Sequence, residues 1–132
     1  MGLFEALFQR GPRLASAPDS ARAVDVPELD ISTAESMLII TVPARVVPDI
    51  KAAAAGEAVV LRGDQAPRSR ADGSPVLAAW LAPSKRDDLP VIDQDRGWLV
   101  PLPPEACRAV LGGLRAETGG YEVSERLAIV VE

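Results

Sequence analysis

The chain has 132 residues, with 14 lysines and arginines against 19 aspartates and glutamates, no histidine and a formal net charge of -5. This length is about one domain, large enough to bury a single core without disulfides or metal, and a hydrophobic content of 48% excludes a wholly disordered chain. The arginines are scattered among acidic neighbours, so phosphate binding by counterion release has no basic stripe to work with and nucleic acid is not an expected partner.

Aromatic residues make up only 4% and prolines number 12, a profile of short strands and turns around an aliphatic core. The single cysteine, Cys107, precludes an internal disulfide framework and reads as a small buried hydrophobe in a reducing compartment. No run approaches the roughly 18 apolar residues of a membrane span, and the start lacks a basic stretch followed by an apolar one. A cytoplasmic protein with no membrane span is expected.

In chain order, "MGLFEALFQRG" places Leu3, Phe4, Leu7 and Phe8 on one face of a short helix ended by Gly11 and Pro12. A helix this short is not stable alone in water and must dock on its own domain, on a sister subunit or on a client. "PRLASAPDS" then reads as a linker, giving an arm and linker over residues 1–20 and a domain over 21–132. "ARAVDV" resembles an edge strand broken by Pro27. "SMLIITV", residues 36–42, is a core strand stopped by Pro43, its continuous hydrophobicity pointing to cover on both faces.

After "PARVVP", the alanines of "DIKAAAA" favour a helix by propensity. The nearby Pro48, Gly56 and strand-like "EAVVLRG" favour instead a hairpin turning at Gly56 and Glu57, and the hairpin is the expectation taken. "DQAPRSRADGSP" is a polar loop with the turn pair Asp72 and Gly73. The apolar strand "VLAAWLA", residues 76–82, sits between that loop and a second one, "PSKRDDLPVIDQD", an arrangement that suits packing against another molecule. Val76, Leu77, Trp80 and Leu81 are therefore candidates for a dimer strand. "GWLVPL" is a strand interrupted by Pro101, and "PPEACRAVLGG" a short helix over residues 104–111. A turn at Gly119 and Gly120 precedes the final strand "RLAIVV", whose partner, "LRAET" or "YEVS", is left open. No internal repeat is evident.

Chemistry-bearing groups are sparse. Asp93 and Asp95, and Asp87 and Asp88, are the acidic clusters, but hard-cation sites need six or more oxygens and the glycine and glutamate of a calcium loop do not follow. Phosphate-loop, nucleophile-elbow and zinc-protease motifs are absent, and a nucleophilic serine, lysine or cysteine would lack an imidazole partner. The expectation is a protein without catalytic residues, metal or cofactor.

Residues 41–64 resemble the small heat-shock protein (α-crystallin) family, in which a strand ending in Leu-Pro-Gly is followed by Asp-Ile, a hairpin with Gly-x-Leu, and Ile-Arg-Gly. The matching positions are Pro43 and Ala44, Asp49 and Ile50, residues 56–59, and Leu61, Arg62 and Gly63. More loosely, "AVDVPELD", "GWLVPLP" and "LAIVV" resemble the start, a later strand and the last strand of that domain. Ala44 replaces the family's glycine, Arg126 and Leu127 stand where Gly-Val-Leu is usual, and no Ile-x-Ile tail is present.

The resemblance implies an all-β, antiparallel immunoglobulin-like sandwich with a short amino-terminal helix and one short helix before the last strands. It implies a homodimer or homo-oligomer formed by strand exchange around residues 76–82. Its function would be that of an ATP-independent chaperone in the stress response, holding non-native proteins through Leu3, Phe4, Leu7 and Phe8. A second implied role is a non-catalytic adaptor for one dedicated protein partner, as in gas-vesicle or co-chaperone assemblies.

Overall fold

The computed structural model describes residue 18 and residues 20–63, 76–86 and 88–132. The apolar arm positions Leu3, Phe4, Leu7 and Phe8, and Asp87, lie outside the described residues.

Among the described residues nine strands form two sheets. Strands β1 (Arg22–Asp25), β4 (Val59–Arg62), β5 (Ala78–Pro83), β7 (Gly97–Leu102) and β6 (Val91–Asp93) make one sheet in the order β1-β4-β5-β7-β6. Strands β2 (Asp30–Ala34), β3 (Met37–Val42), β9 (Leu127–Val131) and β8 (Gly119–Ser124) make the other in the order β2-β3-β9-β8. Two helices, α1 (Val47–Ala54) and α2 (Pro104–Gly113), contribute Val47, Ile50, Ala53, Ala54, Ala106 and Val110 to a core shared with both sheets.

The β-rich, two-sheet expectation holds, but the antiparallel one does not. The ladders β1·β4, β3·β9 and β5·β7 are parallel, so both sheets are mixed. Parallel neighbours cannot be joined by a tight turn and need a crossover. The helices and the alternation of strands between sheets supply it.

The expected hairpin at Gly56 and Glu57 is instead the end of α1. Pro48 falls in the first helical turn, where a missing N–H costs nothing, so it does not oppose the helix. Gly56 adopts φ 121° and its N–H donates to Ala53 O (3.1 Å), while Glu57 N–H donates to Ala52 O (3.0 Å). This paired closure is a Schellman motif, which calls for a left-handed residue at that position. Gly119 and Gly120 likewise open β8 and make no turn of their own. Strand β8 resolves the partner of the last strand, pairing Tyr121 with Ile129.

The order of elements contains a repeat that sequence inspection missed. A hairpin (β2, β3), a helix (α1) and a second hairpin (β4, β5) are followed by a hairpin (β6, β7), a helix (α2) and a second hairpin (β8, β9). Each unit's first hairpin joins the other unit's second hairpin: β3 runs parallel to β9, and β7 parallel to β5. The junctions match in detail, since Glu132 N–H donates to Val42 O (3.0 Å) and Ser84 N–H to Leu102 O (2.8 Å). Proline follows β3 and β7 alike, at Pro43 and Pro103. Because the hairpins cross, neither sheet belongs to a single unit.

Candidate functional site

Strand β5 carries two of the four residues assigned to a dimer strand, Trp80 and Leu81, and the fold places it in the middle of its sheet. It pairs with β4 on one side, Leu81 opposite Val59, and with β7 on the other, Leu81 opposite Val100. Leu81 is fully buried in the core, and Leu77, just before the strand, packs against that core while its carbonyl accepts from Gly63 N–H (2.8 Å). Val76 lies at the start of the same segment. A strand with both ladders filled within its own chain offers no edge for exchange with a partner. The apolarity taken for an intermolecular strand reflects a central position, buried on the core side and partly on the other.

Trp80 differs, pointing away from the core. Its Nε1 donates to Arg96 O (2.8 Å), which lays the indole toward the start of β7. A groove of about 220 Å³ opens beside it, lined by Pro18, Trp80, Ala82, Pro83, Ser84, Lys85, Asp88, Val100 and Pro101. The β4 ladder reaches β5 only as far as Leu81 and the β6 ladder reaches β7 only as far as Leu99, so Pro83 and Pro101, which stand opposite Leu102 and Ala82 in the β5·β7 ladder, have no described strand on their other side. Ser84 Oγ lies 2.9 Å from Asp88 Oδ2. Asp88 Oδ1 is buried without a hydrogen-bond partner among the described residues, beside Lys85 in the lining.

A second groove of about 300 Å³ brings Lys85 and Arg86 against Pro103, Pro104 and Glu105 and against Ser124, Glu125 and Arg126. The first groove falls below the usual 300–1,000 Å³ of ligand pockets and the second stands at its lower end.

The acidic clusters have structural work. Asp93 Oδ1 accepts from Asp95 N–H (2.8 Å) and Arg96 N–H (3.0 Å), closing the β6–β7 hairpin, and these backbone donors with the Arg96 charge hold its carboxyl below the usual range. Gly97 completes that turn at φ 92°, where an added Cβ would lie 2.7 Å from Ala78 O. Arg45 grips both oxygens of Glu28, Nη2 to Oε1 at 2.7 Å, and lowers that carboxyl to about 2. Arg22 joins Asp49 (2.9 Å) and Glu57, tying β1 to both ends of α1. The Cys107 thiol donates to Leu102 O (3.3 Å), and burial pushes its pKa up, the opposite of an activated thiol. Among the described residues no group of three or more His, Cys, Asp or Glu side chains gathers that could hold a metal ion.

What the sequence did not single out is the outer edge of β8. The sheet edges are β1, β6, β2 and β8. Strand β6 has three residues and ends in Asp93, while β1 has four, with Arg22 and Asp25 at its ends, both devices that discourage strand addition. Strand β8 is the longest edge, six residues opening on two glycines with Glu122 as its one charge. Tyr121 Oη donates to Glu117 O (2.9 Å) and fixes the approach to it. A register shift between Glu122 and Ser124 interrupts the ladder with β9 near its end.

No protein-family model matches the chain, and no curated protein matches it. No described helix is long and apolar enough to cross a membrane.

Proposed function

We propose that the protein is a non-catalytic holder of extended polypeptide segments, working without nucleotide, and that the segment adds as a further strand to the outer edge of β8, which no described strand occupies. The observation that carries this reading is the length of the β8 edge among the described residues: six residues with Glu122 as its one charge, against three in β6, four in β1 and five in β2, which opens on Asp30. Strand addition draws on main-chain hydrogen bonds, so it tolerates many sequences and suits the holding of non-native chains.

The resemblance to α-crystallin-type chaperones contributes the kind of activity. Its strand-exchange dimer is not taken over, because β5 is paired on both sides. The narrower role, an adaptor for one dedicated partner, draws support from the register shift in β8. A broken ladder shortens the usable edge and shifts the burden of recognition to side chains.

The test is fluorescence anisotropy with several labelled, permanently unfolded polypeptides of unrelated sequence, titrated with the wild type, Glu122→Pro and Ser32→Pro. The expected result is binding of most of the panel, at least tenfold weaker for Glu122→Pro and unchanged for Ser32→Pro on the β2 edge. Absence of binding across the panel contradicts the holding role, and equal binding by all three proteins contradicts its placement on β8.

A further inference from the structure

Every residue of the four-stranded sheet is described, and its side chains divide by rows. Ile31, Ile40 and Ile129 stand opposite one another on the core side, with Leu38, Val42, Leu127 and Val131 in the same layer. The alternate rows run Ser32, Ile39, Ala128, Glu122 and Asp30, Thr41, Val130, Gly120 across the sheet. These rows face outward, away from both helices, whose buried residues join the core. A sheet face turned to water carries polar side chains at such positions. Here the two central strands offer Met37, Ile39, Thr41 and Val130, all half-buried, with Ala128 between them at 8% exposure.

Charge decides what fits this face. Strands β2, β3, β8 and β9 contain no lysine or arginine, and their two charged side chains, Asp30 and Glu122, stand on the outward rows at opposite edges. Glu132 extends the row of Ala128 and Val130, its N–H donating to Val42 O (3.0 Å). Glu35 and Glu125 lie exposed in the turns at the other end. Arg126, next to Glu125, lines the second groove with Lys85 and Arg86. An apolar strip framed by carboxylates repels a second copy of itself and attracts a ligand with cations on both sides of an apolar stripe. The dimensions suit a helix. Asp30 and Glu122 are three strand spacings apart, about 14 Å, and an α-helix about 10 Å across reaches both with long basic side chains on its flanks. The six residues of β3 give a strip of about 20 Å, the length of about 13 helical residues.

We propose that the outer face of β3 and β9 docks a cationic amphipathic helix of a partner protein, its apolar stripe on Ile39 and Val130 and its cations toward Asp30, Glu122 and Glu132. This inference stands apart from strand addition at β8, because β3 lies two strands in from that edge.

The experiment follows the methyl groups of Met37, Ile39, Ala128 and Val130 by ¹³C spectroscopy of the full chain during titration with three peptides of about 14 residues. The first has a leucine stripe flanked by lysines, the second replaces each lysine by glutamate, and the third keeps the first composition in an order without a stripe. The expected result is movement of these methyls with the first peptide and roughly tenfold lower affinity for the other two. Asp30→Lys combined with Glu132→Lys, both at exposed positions, should weaken the first peptide roughly fivefold or more. Silence of the four methyls up to millimolar peptide, equal binding of the three peptides, or full affinity in the charge-reversed variant overturns the proposal. Movement of the same methyls on concentrating the protein alone overturns it in favour of a second copy.

Discussion

The two crossed units share a topology but have different outer faces. In the five-stranded sheet the outward positions of β5 and β7 hold Trp80, Ala82, Leu99 and Pro101; the corresponding positions of β9 and β3 hold Ala128, Val130, Ile39 and Thr41. Leu99 is buried, whereas Ile39 is only half-buried. The inward positions, by contrast, are nearly interchangeable: Leu81, Val100 and Leu102 in one sheet, Ile129, Ile40 and Val42 in the other, all in the core. The fold constrains what it encloses and leaves each face and edge free to take a separate role. On the proposed reading the β8 edge of the four-stranded sheet is the part that serves a partner.

The comparison is sharpened first in the core. Leu81 and Ile129 occupy corresponding central positions and both are fully buried, so Leu81→Ala and Ile129→Ala should each cost about 3 kcal/mol in urea unfolding. A difference greater than ~2 kcal/mol between them would break the equivalence. A somewhat smaller effect is expected at Gly97, where the side chain has no room and the backbone is left-handed. Gly97→Ala should cost about 2 kcal/mol, while Met37→Ala, at the start of the corresponding strand β3, should cost about 1 kcal/mol or less. Gly56→Ala finds open space around its Cβ but holds a side chain at φ 121°, which L residues rarely adopt, and should cost about 1 kcal/mol or somewhat more.

The electrostatic expectation is smaller still. Glu28, beside Arg45, titrates near 2 in the folded chain against about 4.3 when unfolded. A depressed folded pKa means that the unfolded chain takes up the proton first as the medium is acidified. Stability from this pair is therefore fully present above about pH 5 and declines as pH falls toward 2. Glu28→Gln should flatten that part of the curve and lower stability only slightly near neutrality, because the pair is exposed and screened by solvent. Cys107, with its thiol pKa raised by burial, should react with iodoacetamide at pH 8 more slowly in the folded protein than in urea.

Strand β3, stopped by Pro43, was legible because apolar run and breaker coincide, and α2 because Pro104 opens it and paired glycines close it. Helix α1 was not, since Gly56 is equally at home in a hairpin and in a helix terminus, and only the hydrogen bonds to Ala52 and Ala53 decide between them. The parallel pairing of β5 with β7 has no local signature. Continuous apolarity in "VLAAWLA" reports burial, and the identity of what buries it depends on crossovers tens of residues away. The edge of β8 was invisible for the same reason: Gly119 and Gly120 look like a turn until β9 is in place beside them.

The division of labour between the two sheets is tested most directly by titrating the ¹⁵N-labelled full chain with a permanently unfolded polypeptide and following backbone amides together with the Trp80 indole. The account predicts shifts confined to residues 119–124 and their β9 neighbours, with the Trp80 indole, Ala82 and Leu99 unmoved. Movement of the Trp80 face with β8 silent would contradict it, placing the polypeptide on the five-stranded sheet.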